Sequence, residues 1–289
     1  MLDTLKETVL RKLRERGVVI RHTFDNQDRA RYRALYSEDA LKNRRFYNIG
    51  AGLFSHPFWT NVDFPSEHYG AAQAQQSFIP HDLMSLKPLP IETGSAEVVY
   101  TSHTVEHVKD EADSVMFREA HRILKPGGFF RITTGPDAET DYAALMRNDS
   151  HWFYWDEGYS NSPDFFKPPA QSSLAQRGLH HVASAASTNC RHPAARKFDD
   201  AEVMEVLASN DLPTALDIFT SAVAFQPENP GNHVSWWTHD KAIRMLKEAG
   251  FKTAYRCGHG QSRCPILRNT WYFDNTHPQQ SLYVEAVKA

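Results

Sequence analysis

The chain has 289 residues, 41% of them hydrophobic, and a formal net charge of -3. Length and composition allow one large core with an added lid or subdomain. The near-neutral balance leaves no electrostatic footprint for nucleic acid and no pull towards an anionic membrane surface.

The first 40 residues read as a helical extension, residues 1–40, that opens on an amphipathic helix. Its basic run RKLRERG reads as a solvated face. Acids and bases are mixed among the apolar residues there, so no signal peptide is expected, and no stretch reaches the length of a membrane span. The three cysteines, Cys190, Cys257 and Cys264, are too few and too scattered for a disulfide framework. Free thiols in a reducing, cytoplasmic setting are the expectation.

From residue 41 the chain alternates strand-like and helix-like segments. RRFYNIGAG leads apolar residues into a glycine turn; FWTNVDF and SFIPHDL are short β-rich runs, each closing on an acid; SAEVVYTSH is a buried strand. DEADSVMFREAHRILKPGG reads as a helix with Val115, Phe117, Ala120, Ile123 and Leu124 near one face and a glycine stop. FFRITTGPD is the next strand. This order predicts an α/β fold, a mostly parallel sheet with helices on both faces, whose strand ends share one rim. Residues 41–150 and 236–289 form this core. Residues 151–235 break the alternation with helices expected near Asp199–Asn210 and Pro213–Ala224, and read as a lid. Trp152, Phe153, Trp155, Phe165 and Phe166 need burial somewhere in it. The core resumes with THDKAIRMLKEAGF, KTAYRC and SLYVEAVK.

The signals for chemistry gather at the rim. Gly50 and Gly52 let the backbone approach a ligand, and a helix after them would present free N–H groups. The third glycine of a dinucleotide fingerprint is missing, which argues against NAD. Asp63 closes the second strand, where a carboxylate accepts both hydroxyls of a ribose. Asp82 closes the third, where a carboxylate and the next amide read an adenine edge. Between Tyr100 and Glu111 lies HTVEH, spelling H-x-x-E-H. That pattern binds zinc when both histidines share a helix face. Because His103 directly follows a strand, it is expected in a turn, with His107 as packing, and no metal site is expected.

The segments YNIGAG, TNVD, HDL, EVVYTSHTVEHV and REAHRILKPGGFFRIT resemble those of class I S-adenosylmethionine-dependent methyltransferases, over about Arg45 to Asp137 and again near Trp236. The resemblance implies a Rossmann-like seven-stranded sheet whose last strand is antiparallel, and S-adenosyl-L-methionine as cofactor. It implies that Asn48, Gly50, Ala51 and Gly52 pack on the methionine part, and that Asp63 with Phe64 holds the ribose. Asp82 and Leu83 would bracket the adenine, with Ser102 and His103 facing the methyl group. Many members have a further glycine where this chain has Asn48.

His103 is accordingly a candidate base or cofactor contact, and His233, at the end of the lid, a competing base. The loops QPENPGNHVSWWTHD and GQSRCPILRNTWYFDNTHP are expected to receive the acceptor. Trp236, Trp237, Trp271 and Tyr272 offer flat faces, and Asn232, Arg263, Arg268 and Asn269 offer hydrogen bonds. With GAGLFSHPFWTNVDF, these loops are similar to a subgroup found with bacterial surface-polysaccharide genes. That implies O-methylation of a sugar or sugar-phosphate, the expected partner being a saccharide or other small molecule, with a homodimer as an option. A small-molecule methyltransferase of secondary metabolism is the alternative. A fold kept without turnover and a zinc hydrolase are the readings from other classes.

Overall fold

The computed structural model describes residues 26–65, 77–159 and 161–289. The helix expected at the start of the chain, with its basic run, lies outside the described residues. Described elements begin with α1 (Asn26–Leu35) and α2 (Glu38–Lys42), then β1 (Phe46–Ile49), β2 (Trp59–Asp63), β3 (Phe78–Pro80) and β4 (Ala96–Ser102). Next come α3 (Asp110–Ile123), β5 (Leu124–Thr134) and α4 (Ala138–Met146). Residues 151–235, the segment expected to be a lid, hold α5 (Leu174–Val182), α6 (Asp200–Ser209) and α7 (Leu212–Ser221). The chain closes with α8 (His239–Glu248), β6 (Thr253–Cys257) and β7 (Leu282–Val287).

The seven strands form one sheet in the order β3-β2-β1-β4-β5-β7-β6. β1 to β5 are parallel, and β7 runs antiparallel to both β5 and β6. This is the Rossmann-like arrangement expected, with the last strand reversed. Crossovers from β1 outward in both directions put the rim of β1 and β4 at a topological switch point, where open α/β sheets bind ligands.

Alternation along the strands builds two apolar layers, because successive side chains leave opposite faces. Tyr47, Ile49, Val62, Val99, Phe130 and Ile132 pack under α3 and α8 with Phe117, Leu246 and Phe251. Phe46, Trp59, Val98 and Tyr100 leave the other face and meet Tyr32, Ile266, Leu267 and Phe273. α3 buries Ala112, Met116, Phe117, Ala120 and Ile123, spaced three or four apart as one helical face requires. Val115 is only half-buried, and Leu124 already belongs to β5: KPGG lies inside the strand instead of ending the helix.

The second face also carries a charge. Arg131, on β5 and fully buried, donates to both oxygens of fully buried Asp274, at 2.9 and 2.5 Å. Asp274 accepts further from Thr133 Oγ1 at 2.8 Å and Gly260 N at 3.1 Å, and its own N–H donates to the Tyr100 hydroxyl at 2.8 Å. Burial alone would lower the Arg131 pKa, but the hydrogen bonds and charge of Asp274 outweigh it and raise it.

The lid has its own core of Leu179, Phe198, Val203, Leu216, Phe219 and Trp236, against Ala138 of α4. α4 and α5 were not anticipated from the sequence. α6 opens on a reciprocal cap between Asp199 and Glu202. Of the lid aromatics, Phe153 and Phe165 are buried, Trp152 is half-buried and Phe166 is exposed, its ring under the Arg191 guanidinium. Within the lid His181 sits between Asp141 and Asp156, at 2.6 and 3.1 Å. Burial would lower its pKa, but the two carboxylates raise it to about 9. Lys109 fastens the lid to α3 by donating to the carbonyls of Thr220, Val223 and Val234. Cys190, Cys257 and Cys264 are free thiols, and no helix among the described residues is long and apolar enough to cross a membrane.

Breaking the Arg131–Asp274 pair leaves a buried guanidinium without its main partner. Asp274→Ala is therefore expected to cost about 3–5 kcal/mol, read as a lower midpoint in urea unfolding; a change below about 1 kcal/mol would contradict the weight given to this pair.

Candidate active site

The glycine turn after β1 is the first wall of the site. Gly50 has φ +67°, and a Cβ placed on it would lie 2.2 Å from Thr104 Oγ1. Gly50 N donates to Val62 O at 2.8 Å. Gly52 has φ +52° with open space where a Cβ would point. The helix expected after this turn is absent: residues 51–58 are irregular turns. The local reason is His56-Pro57, since a residue before proline is pushed away from helical angles. The tertiary reason is His56 itself, which is buried, pairs with Asp28 of α1 at 2.9 Å and stacks edge-on against Tyr272.

Asp63, the last residue of β2, accepts Gly52 N and Phe64 N, each at 2.7 Å. Burial raises its pKa, and the three backbone N–H groups of Gly52, Phe64 and Ala51 only partly offset this. Asp82 stands beyond β3, not at its end. It caps the single turn Leu83–Ser85 by accepting Met84 N at 2.9 Å.

β4 ends at Ser102, and the chain then turns at His103 with φ +50°, a left-handed conformation uncommon for a side chain. H-x-x-E-H thus spans a turn and a short 3-10 helix (Val105–His107), not a helix face shared by both histidines. His103 Nε2 lies 3.0 Å from Thr276 O and 3.0 Å from Ser281 Oγ; Nδ1 lies 3.0 Å from Glu106 Oε1. Both ring nitrogens face protein partners, so neither offers the cavity a lone pair. Burial alone would raise the Glu106 carboxyl, but His103, then His107 and His233, outweigh it and hold it at about 2.

These walls enclose a cavity of about 1140 Å³. Asn48, Gly50, Ala51, Gly52, Asp63, Phe64, Asp82, Leu83, Ser102 and His103, the residues expected from the sequence to meet a cofactor, all line it. Asn48 is buried, and its Oδ1 has no hydrogen-bond partner in the protein. The volume exceeds the range of about 300–1,000 Å³ usual for one drug-sized ligand. Two molecules therefore have room to meet.

Residues 50–132 match the family described as a methyltransferase domain. That segment, from the glycine turn to β5, is similar to a methyltransferase domain. Such a domain implies S-adenosylmethionine as cofactor, and the residues present fit it: the buried Asn48 Oδ1 has no hydrogen-bond partner in the protein, and the Gly50 turn leaves the backbone open to a close ligand. No curated protein matches the chain. Among solved structures it is similar to an S-adenosylmethionine-dependent methyltransferase from Thermotoga maritima, at 13% identity and TM-score 0.41, covering 87% of each chain. Another, from Mesorhizobium loti, has 16% identity and TM-score 0.40 over 89% of this chain and 95% of that one. A third is the CMeT domain of the citrinin polyketide synthase, at 10% identity and TM-score 0.37; the match covers 84% of this chain and 46% of that structure.

The residues expected to receive the acceptor are mostly elsewhere. Trp271 and Tyr272 line the cavity. Trp236 belongs to the lid core and donates to Asp217, and Trp237 belongs to the main core beside Phe117. Arg268 donates to the carbonyls of Ser262 and Arg263, and Asn269 to Asp28 at 2.8 Å. Asn232 is buried, with its carbonyl accepting from His107 Nδ1 at 3.1 Å. His233 is half-buried with Nδ1 donating to His181 O, and burial with His107 beside it pushes its pKa down to about 3. Sequence reasoning did not anticipate Arg44 and Phe225 on the cavity wall, and from the two expected acceptor loops it did not single out Pro227, Pro230, Asn275 and Thr276. Nothing local marks them, because they come from loops far apart in the chain.

An added methyl at Gly50 would collide with Thr104 and force an unfavourable φ. Gly50→Ala is expected to destabilise the fold by about 1–3 kcal/mol, measured by urea unfolding without cofactor; a stability equal to the parent would refute the tight turn.

Proposed function

We propose that this protein methylates an oxygen of a sugar or sugar-phosphate belonging to a bacterial surface polysaccharide or its precursor. The observation that carries this reading is Trp271. It is 67% exposed, lines the cavity beside Tyr272, and stands with Asn275, His56 and Arg44 on the same wall. Flat aromatic faces next to hydrogen-bonding groups suit a sugar ring, whose faces are apolar and whose rim is hydroxyl. Among the described lining residues Arg44 is the one arginine, so a single phosphate or carboxylate is the most charge the wall can match. Phe225, Pro227 and Pro230 supply an apolar stretch that favours, as a second reading, a small aromatic acceptor of secondary metabolism.

In this reading Asn48 Oδ1 receives a hydrogen bond from the amino group of the cofactor, and the Gly50–Gly52 turn packs on its methionine part. Asp63 keeps a lone pair on each oxygen for the ribose hydroxyls, while Phe64, Asp82 and Leu83 flank the adenine. Bound there, the cofactor supplies an electrophilic methyl group. The chain then has to hold the acceptor oxygen in line and exclude water, an alignment worth on the order of 7–11 kcal/mol. His103, held at both nitrogens, serves as a positioning residue that ties the β4 turn to the loop carrying Thr276 and Ser281.

The direct test is incubation with isotopically labelled cofactor and a panel of sugars, sugar phosphates, nucleotide sugars and aromatic hydroxyl compounds, read by mass spectrometry for the gain of one CH₂. Labelled product from aromatic hydroxyls alone would favour the second reading. Asp63→Ala is expected to weaken S-adenosylmethionine binding at least about tenfold, since a hydrogen bond to a charged group is worth about 1.5–3 kcal/mol; an unchanged calorimetric affinity removes the ribose assignment. His103→Ala is expected to lower kcat by less than the 10²–10⁴-fold typical of a lost general base, with the shape of the pH–rate profile kept. A larger loss together with the disappearance of one limb of that profile would make His103 the base.

A further inference from the structure

One cluster reaches the cavity wall through His107 and has no part in the proposed cofactor contacts. Glu106, His107 and His233 each offer a ligand atom, and these atoms lie within 4.8 Å of one another. His107 lines the cavity, and the two imidazole rings face each other edge-on with centroids 4.9 Å apart. The lid puts His233 there: Val234 N and Ser235 N both donate to Glu106 O, at 2.8 and 3.3 Å.

The hydrogen bonds around the cluster decide which atoms are left. His107 Nδ1 faces Asn232 O, and His233 Nδ1 faces His181 O. A carbonyl oxygen only accepts, so both Nδ1 atoms carry the proton and both Nε2 atoms keep a lone pair. That is the outer arrangement found around histidines that bind metals, whose second nitrogen donates to a carbonyl or carboxylate. Glu106 is arranged in the same way. Its Oε2 accepts from Thr134 Oγ1 at 2.7 Å, while the buried Oε1 has His103 Nδ1 beside it at 3.0 Å, a contact that an ion would share or displace.

We propose that Glu106, His107 and His233 form a binding site for a divalent transition-metal ion, zinc by preference, with its open position towards the cavity. Two imidazoles and one carboxylate are a ligand set of catalytic zinc sites, which keep a fourth position for water or substrate. A tetrahedral ion with bonds of about 2.0–2.1 Å sets its donors about 3.4 Å apart. The ligand atoms, now within 4.8 Å of one another, would close by up to about 1.4 Å to reach that size. The ligands differ from those that H-x-x-E-H predicts: His103 is replaced by a histidine from the lid, 126 positions after His107. An ion here is formed only when the lid is seated on the 3-10 helix, so binding would report lid closure. Its chemical use rests on the hydroxyl-acceptor reading above. An acceptor hydroxyl on the open position loses its proton to water more readily, as metal-bound water does. That supplies the activation that His103, with both nitrogens engaged, does not.

The test uses the full chain, treated with chelator and then titrated with zinc against a chromophoric indicator. S-adenosylmethionine affinity is measured in parallel by calorimetry. One ion per chain is expected, with binding weakened at least about 100-fold in His107→Gln and in His233→Ala, because a direct ligand matters more than the outer partners whose loss costs 10–100-fold. Glu139→Gln, in a second cluster with Asp137 and His239 away from the cavity wall, should leave that binding unchanged. Cobalt-loaded parent protein gives a check that needs no variant: intense tetrahedral absorption bands are expected, and the pale spectrum of a six-coordinate ion would overturn the site. Absence of zinc uptake by the parent, or uptake unaltered in His107→Gln, would overturn it too. Zinc bound without S-adenosylmethionine binding would leave the metal site standing and remove the functional reading; the reverse result would do the opposite.

Discussion

The ion pair between Arg131 and Asp274 sets the shape of the molecule around its cavity. Arg131 is on the central β5, and Asp274 is in the long connection between β6 and β7. A charge buried without its partner costs several kcal/mol, so this connection has one acceptable position on the sheet. With Asp274 seated, Phe273 enters the apolar layer beside Trp59 and Tyr100, and Tyr272 meets His56. Thr276 then reaches His103. One wall of the cavity is thus an outcome of the electrostatics of a single strand residue.

A second constraint joins the other walls. Thr104 closes over Gly50, donating weakly to the carbonyls of Ile49, Gly50 and Ser102. That packing forces the turn at His103 into left-handed angles and aims the following residues, Glu106 and His107, at the lid. The lid answers with backbone N–H groups on Glu106 O and with His233 beside His107. The glycine turn, the histidine turn and the lid are therefore mechanically continuous. A change in any of them is felt at the same few ångströms of cavity wall.

Several features could be read along the chain because their causes are local. The strands announced themselves as short β-rich runs, and the acid at the end of β2 stood where the run stopped. The turn at His103 followed from a strand running directly into it. Other features misled for equally physical reasons. KPGG looked like a helix stop, yet its glycines continue as strand because β7 pairs alongside, with Lys288 N donating to Gly128 O. Trp236 and Trp237 looked like neighbouring contact surfaces. They point into two different cores, since adjacent residues in extended chain face opposite ways. Arg268 and Asn269 offered polar groups, but loop carbonyls and Asp28 had first claim on them.

The sequence by itself determined the sheet, its rim and many of the residues that line the cavity there, because strand alternation, glycine turns and strand-end acids act within a few residues. It also carried the methyltransferase resemblance. Pro57 already disfavours a helix after Gly52, but only the tertiary structure decided the course the chain takes there, through a pairing between His56 and Asp28, 28 residues apart. Likewise it alone decided that His103 has no nitrogen to spare, and that Glu106 and His107 find their third neighbour in His233. Those outcomes depend on which distant loops compete for the same polar atoms, and that competition is resolved only when the chain has packed.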